Sequence, residues 1–445
     1  FFFVTLFLLV ISMGQGQSDE IDEPYGPCPG DDAQTMKAFV MEAPGDISDM
    51  KLASVYIPKP AEGEIRVKVM AAGLNPVDYK RCLFTDADFP CILGADVAGV
   101  VTELGSDVTQ FRVGDRVHFH ANVRKQYGGF AEFAQTTAAT TVRIPEGLSF
   151  AEAAAIPCAG WTAYLVLYHK LKVQAGQSIL ITGAGGGVGC FAIQLAKLSG
   201  LTVFASTQPH KADYVKSLGA DHVLSSNEAD DVNLQTVLEV NNGALLDHAL
   251  DTVGPDSALN ALRYLKLHGN LCSLAALVSD ADLFAKGISL HYVNIGGMHQ
   301  SNSIAAKLSL AQIGGDMGAL FATKQLRVPI MEACSFEQIP VALETLRAGQ
   351  VQGKLVANFV PPEKQEAEAA ALALPPVLKS PEATLPGAQA APAPPSPSQH
   401  PLPPPVPQQQ TTGAHAYPPP PQPQQIPVQT APAGSMWHTG QPLVQ

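Results

Sequence analysis

Ser178-Ile179-Leu180-Ile181-Thr182 runs straight into Gly183-Ala184-Gly185-Gly186-Gly187-Val188-Gly189, and the reading of these twelve residues decides the fold. The first five are apolar and rich in β-branched side chains, which predicts a buried strand. Beyond the glycines, Val188, Phe191, Ala192, Leu195 and Ala196 recur at helical spacing, with Gln194 and Lys197 off that face. Strand, glycine turn and helix in this order make a dinucleotide site. Glycines let the backbone approach a pyrophosphate, and the helix start offers free N–H groups and the positive end of a dipole. The glycines recur at 183, 186 and 189, and Val188 stands where Gly-x-Gly-x-x-Gly would place its third glycine. The strand-turn-helix context lifts the motif above a plain glycine-rich turn.

Working outward, further strands are expected at 201–205, 221–224, 246–251 and 270–274, alternating with helical stretches, which predicts a doubly wound parallel sheet. Just after the 201–205 strand lies the place that reads the adenosine ribose. A carboxylate there would bond the ribose hydroxyls and repel a 2′-phosphate. The chain has Ser206 and Thr207 instead, with Lys211 nearby and no acid, so NADP(H) is favoured over NAD(H).

The whole chain has 445 residues and a net charge of −13, which argues against a nucleic-acid binder. Residues 1–35 hold six acids and no Lys or Arg, and the tail from Pro361 holds four acids and two lysines, leaving the 325 residues between them at −5. Those 325 residues suffice for two domains. The apolar run from Phe1 to Ser12 has the length of a signal-peptide core, with residues 1–17 as its span. No basic residue precedes that run, and Met36-Lys37-Ala38 reads as the natural start of the folded body. The expectation is therefore a cytoplasmic protein, with secretion as the alternative. Seven scattered cysteines at 28, 82, 91, 158, 190, 272 and 334 show no paired spacing and read as reduced thiols. Pro361–Gln445 contains 23 of the 37 prolines, which predicts a disordered, polyproline-rich tail. Its Pro401-Leu402-Pro403-Pro404-Pro405-Val406-Pro407 stretch could dock in a polyproline-binding partner.

The middle body resembles the medium-chain dehydrogenase/reductase superfamily, and within it the zinc-independent quinone oxidoreductase (zeta-crystallin-like) and enoyl reductase group. The residues that carry this, in order, include Ala71-Ala72-Gly73-Leu74-Asn75-Pro76-Val77-Asp78, Leu93-Gly94-Ala95-Asp96-Val97-Ala98-Gly99, Val113-Gly114-Asp115-Arg116-Val117 and Gly128-Gly129-Phe130-Ala131-Glu132-Phe133. Trp161-Thr162-Ala163-Tyr164, the glycine loop, Leu250-Asp251-Thr252-Val253-Gly254 and Gly353-Lys354-Leu355-Val356 complete the series.

The resemblance implies a GroES-like β-barrel catalytic domain over 36–160, a Rossmann domain over 161–300, a return segment over 301–360 and the tail over 361–445, with the cleft at the domain junction. It also implies a homodimer. Zinc-dependent members carry ligands at the positions of Asn75, Ala95, Asp96 and Cys158, and neither Asn75 nor Ala95 replaces a thiolate or an imidazole, so no metal is expected. His118 and His120 alternate on a predicted strand and could face one metal, but no third ligand is near in sequence.

A metal-free site implies an electron-poor acceptor, a quinone or an α,β-unsaturated carbonyl, reduced with NADPH. By resemblance, Asn75 bonds near the nicotinamide ribose or the acceptor carbonyl and Thr162 contacts the nicotinamide end. Gly186, Gly187 and Val188 face the pyrophosphate within a cofactor-binding loop that includes Gly183, Ala184, Gly185 and Gly189, while Ser206 and Lys211 face the 2′-phosphate. Tyr79 is the candidate proton donor, beside an ordinary packed tyrosine, and 290–295 is expected to line the substrate pocket. Two departures stand out: Ser226 replaces a nucleotide-contacting Tyr, and the turn after Ala275 lacks a polar residue. A 2-enoyl thioester reductase and a nucleotide-binding protein without turnover are the alternatives.

Overall fold

The computed structural model describes residues 34–83, 88–279 and 281–373. The expectations for the apolar run, for Cys28 and for the proline-rich tail beyond Ala373 fall outside these residues. Eight strands precede the nucleotide half: β1 (Thr35–Met41), β2 (Lys51–Tyr56), β3 (Glu64–Leu74), β4 (Cys91–Ile92), β5 (Asp96–Leu104), β6 (Arg116–His120), β7 (Phe133–Thr137) and β8 (Thr141–Arg143). Six follow in the nucleotide half: β9 (Ser178–Thr182), β10 (Thr202–Thr207), β11 (His222–Ser225), β12 (Leu246–Asp251), β13 (Leu265–Ser273) and β14 (Ser289–Tyr292). The chain then returns with β15 (Ile330–Ser335) and β16 (Lys354–Asn358).

β9 to β14 form one parallel sheet in the order β11-β10-β9-β12-β13-β14, the doubly wound order with the glycine-loop strand at its centre. β9 is buried along its whole length, as a strand covered by helices on both faces must be. The other large sheet runs β15-β16-β3-β5-β6-β8 with β7 on β3, and β2-β1-β4 makes a smaller one. β3 alternates over its first half and is then buried at every position from Val69 to Leu74, where β16 and β5 flank it. Gly73 sits in this stretch because a Cβ there would lie 2.3 Å from the Ala154 carbonyl oxygen.

Gln194 differs from the sequence expectation. It is buried, and its carboxamide bonds both the N–H and the carbonyl of Arg327, so a polar residue faces a backbone segment. The tail boundary at 361 is also corrected, because Pro362–Ala373 is a helix. Pro at its first position and an Ala/Glu-rich run favour it, and Gln365 anchors it by donating to the carbonyls of Val360 at 2.9 Å and Met70 at 3.3 Å. Ion pairs from Arg116 to Glu366 and from Lys68 to Glu368 hold its outer face. Among the described residues no helix is long and apolar enough to cross a membrane.

Candidate active site

The glycine loop begins where β9 ends. Thr182 donates its hydroxyl to Asp251 at 2.6 Å, and Thr252 donates to the Thr182 carbonyl at 2.9 Å, so the central strands β9 and β12 are tied at their carboxyl ends. Gly183 then turns with φ +61°, and a Cβ there would lie 2.3 Å from the Thr252 hydroxyl. The helix Gly187–Leu198 starts after Gly186, and its first N–H groups have no carbonyl behind them. Gly189 faces inward: a Cβ would meet the Ala184 Cα and carbonyl oxygen at 2.6 Å. The third glycine of the recurrent spacing thus serves close helix-strand packing, and Ala184, fully buried, donates to the Ser206 carbonyl behind the loop.

In front of the loop lies a cleft of about 740 Å³, a volume suited to a large ligand. Gly183, Gly185, Gly186, Gly187, Val188 and Ser206 line it. Lys211 also lines it, but its ammonium is engaged, donating to the carbonyls of Val351 at 2.8 Å and Gly349 at 3.3 Å. A 2′-phosphate would have to compete with these two carbonyls for it. Gly353 N–H donates to the Gly185 carbonyl at 2.8 Å, so the segment leading into β16 straps the loop. Ser226 lines the outer end, and the carboxylates of Glu228 and Asp230 are its neighbours there.

At the inner end Leu74, Asn75, Pro76, Cys158 and Lys354 form the floor. Asn75 caps the helix Pro76–Arg81, and Asp78 takes the Asn75 N–H on one oxygen and the Ala95 N–H on the other, both at 2.8 Å. The Asn75 carboxamide donates to Asp96 at 2.9 Å and to the Gly73 carbonyl at 3.2 Å. Its oxygen accepts from the Lys354 ammonium at 2.6 Å. Lys354 also donates to the Leu74 carbonyl at 3.1 Å and to Asp96 at 3.2 Å, while the Cys158 N–H donates to the other Asp96 oxygen at 2.7 Å. A carboxylate only accepts and an ammonium only donates, so the orientation of the Asn75 amide follows from its neighbours.

Asn75, Asp78, Asp96 and Lys354 are all buried. Burial and the nearby Asp96 charge push the Asp78 carboxyl up to about 7. Burial raises Asp96 as well, against the pull of Lys354, and it drives the Cys158 thiol far above its ordinary range.

The sequence expectations divide accordingly. Asn75, Gly183, Gly185, Gly186, Gly187, Val188, Ser206 and Lys211 meet at one cleft. Tyr79 does not line it. It is half-buried against the cluster of β1, β2 and the 336–343 segment, because the short helix turns that face away from the floor. Thr162 is buried without lining the cleft, and so the nicotinamide role given to it gains no contact. Residues 290–295 span the end of β14, the turn after it and the first residue of the helix Ile295–Gln300, outside the cleft lining. Lys354 and Asp78 were missed as site residues. A lysine directly before the apolar run Leu355-Val356-Ala357 was the available signal for the first.

His118 and His120 share one face of β6 but not one ligand. His118 Nδ1 donates to the Ala153 carbonyl at 3.0 Å, whereas His120 Nδ1 and His299 Nε2 are paired at 3.2 Å with stacked rings. Among the described residues no group of three or more His, Cys, Asp or Glu is placed to hold a metal. The zinc-ligand positions do not fit a zinc ion either. Asn75 and Asp96 are consumed by Lys354 and by each other, Ala95 has no donor, and an approaching cation would meet the ammonium.

Comparison with known proteins agrees with this geometry. The alcohol dehydrogenase GroES-like domain family matches residues 61–146, and the zinc-binding dehydrogenase family matches residues 187–311. The quinone oxidoreductase from Coxiella burnetii has a solved structure with a TM-score of 0.64 and 28% identity, covering 74% of this chain and 100% of that one. The fold and cleft resemble those of the medium-chain dehydrogenase/reductase superfamily, in line with the two matching family segments and the solved quinone oxidoreductase. Within that superfamily the resemblance is to the quinone-oxidoreductase-like group.

A 2-methylene-furan-3-one reductase of Solanum lycopersicum is 36% identical over 55% of this chain and 63% of its own length. An NADPH-dependent alkenal/one oxidoreductase of Arabidopsis thaliana chloroplasts is 38% identical over 42% of this chain and 51% of its own length. The chain therefore spans only about half to two thirds of these relatives.

Proposed function

We propose that this chain is an NADPH-dependent, zinc-independent reductase that delivers hydride to a quinone or an α,β-unsaturated carbonyl. The observation that carries the reading is a dinucleotide cleft whose inner floor is a closed Lys354–Asp96–Asn75 network instead of a metal-ligand set. Plain alcohols need a Lewis acid to ionise them, whereas an electron-poor acceptor needs chiefly to be held in place.

Bound in the cleft, NADPH would supply the hydride. The free N–H groups at the start of the Gly187–Leu198 helix receive the pyrophosphate, and the end of β10 offers Ser206 without a repelling carboxylate. Asn75 has both amide N–H groups committed, so towards a ligand it can only accept. This favours a ribose hydroxyl over an acceptor carbonyl as its partner. Leu74 and Ala159 exclude water from the inner end, and the proton for the reduced product comes from solvent at the mouth.

Steady-state oxidation of NADPH and NADH by the full chain, with a small quinone, a short enal and a crotonyl thioester, tests this. The expected order is quinone or enal ahead of thioester, with NADPH preferred. Faster turnover of the thioester would favour the enoyl thioester reductase, and NADPH binding without consumption would favour a protein that has lost turnover. The reading includes a homodimer, checked by sedimentation velocity, and a cytoplasmic setting, where NADPH is regenerated, checked by fractionation of cells expressing the full reading frame.

A further inference from the structure

We propose that Lys354 is a positioning residue: its ammonium is the fixed cation of the cleft floor, standing among Asn75, Asp96 and Cys158, the positions that carry metal ligands in zinc-dependent relatives, and it sets the orientation of Asn75. The inference rests on the reductase reading of the cleft. It goes further by naming the group that takes the metal's place.

Three observations carry it. First, the ammonium is fully used: Asn75 Oδ1 at 2.6 Å, the Leu74 carbonyl at 3.1 Å and Asp96 at 3.2 Å match its three N–H donors. A lysine so held is a fixed charge, not a mobile donor. Second, the loop makes room for it. A Cβ at Gly187 would lie 2.9 Å from Lys354 Cδ, so this glycine of the nucleotide loop lets the lysine stem pass to the floor. Gly353, with φ +78° and its own Cβ position 2.2 Å from the Pro329 carbonyl oxygen, turns the chain so that β16 begins there. Third, the network links elements far apart in sequence, with Lys354 on β16, Asp96 on β5 and Asn75 at the end of β3. One cation therefore fixes the floor against the loop that holds the nucleotide.

A lysine that only neutralised Asp96 would also be buried and paired, so the test separates the two roles. In the full chain, kcat with 9,10-phenanthrenequinone and KM for NADPH are measured for Lys354→Met, for Asp96→Asn/Lys354→Met, for Asn75→Ala and for Asn75→Ala/Lys354→Met, with melting temperatures alongside. Lys354→Met is expected to lower kcat by about 100-fold, the scale of a misplacement near 1 Å. The Asp96→Asn double variant, which keeps an acceptor for Asn75 but no buried unpaired charge, is expected to regain melting temperature and not kcat. On the Asn75→Ala background, Lys354→Met is expected to add less than threefold.

Return of kcat to the wild-type value in the Asp96→Asn double variant would overturn the proposal and leave Lys354 a counterion. Full additivity with Asn75→Ala would overturn it too. If Lys354→Met does not fold, the Asp96→Asn double variant decides by itself. A wild-type chain that consumes no NADPH would overturn the reductase reading instead. The same variants would then be ranked by NADPH affinity from cofactor fluorescence, with the same pattern expected and the same reversals fatal.

Discussion

Asn75 makes four bonds to the protein, through its N–H, both amide protons and its amide oxygen, and each limits what it can offer a ligand. Asn75→Asp would set a third carboxylate beside Asp78 and Asp96. It should weaken NADPH binding by tenfold or more, read as KM against an unchanged quinone KM. At the other end of the cleft, Ser206→Asp should turn the NADPH preference toward NADH, because the new carboxylate accepts ribose hydroxyls and repels a 2′-phosphate. Equal losses for both cofactors would contradict that placement. Gly189→Ala puts a methyl 2.6 Å from the Ala184 backbone, an overpacking that costs about 1–3 kcal/mol, measured by urea unfolding.

At this scale the glycine loop was legible because every residue it needs is local. Lys354 was not, since 279 residues separate it from Asn75 and only the folded sheet joins them. Tyr79 packs as an ordinary tyrosine, the reading set beside the proton donor in the sequence analysis.

Among the elements, the helix Pro362–Ala373 shows how an averaged composition hides a local signal. The proline content of the 361–445 segment predicts disorder, yet its first dozen residues pair a starting proline with an Ala/Glu-rich run, a helix signature in its own right. Gln365 alone contributes two carbonyl contacts, each worth about 1 kcal/mol, and Ala369 is buried on the barrel. Ending the chain after Val360 should lower the melting temperature by several degrees and leave kcat at 25 °C unchanged, because this helix packs on β3 and β5, away from the cleft. Unaltered melting would contradict its anchoring role. Three strands of the nucleotide sheet, β9, β10 and β12, were by contrast legible to within two residues, because their short apolar runs are buried on both faces, whereas the partly exposed edge strand β14 was not expected.

Across the whole molecule, buried histidines set the response to acid. Burial pushes His118 and His120 down to about 4 and His299 to about 3, from ordinary values near 6.5. Below pH 6.5 the unfolded chain takes up protons that the folded chain refuses, so this contribution to stability is complete above 6.5 and falls steadily toward pH 4. The slope is about 1.4 kcal/mol per histidine per pH unit. Asp78 acts oppositely: its raised carboxyl keeps a proton in the folded state, which destabilises the fold as pH rises from about 4 to about 7. These three groups outweigh Asp78 and the likewise raised Asp96, so urea midpoints should fall between pH 6.5 and 4.5. His120→Gln should shallow that fall, and a flat profile would contradict the buried neutral pair.

We propose a reductase whose cleft floor is held by a lysine instead of a metal-ligand set. Its most direct test is NADPH and NADH oxidation by the full chain with 9,10-phenanthrenequinone, before and after exhaustive treatment with chelator, alongside metal analysis of the same preparation. Turnover is expected to prefer NADPH, survive the chelator unchanged and proceed without stoichiometric zinc. Activity abolished by the chelator and restored by added zinc would contradict it.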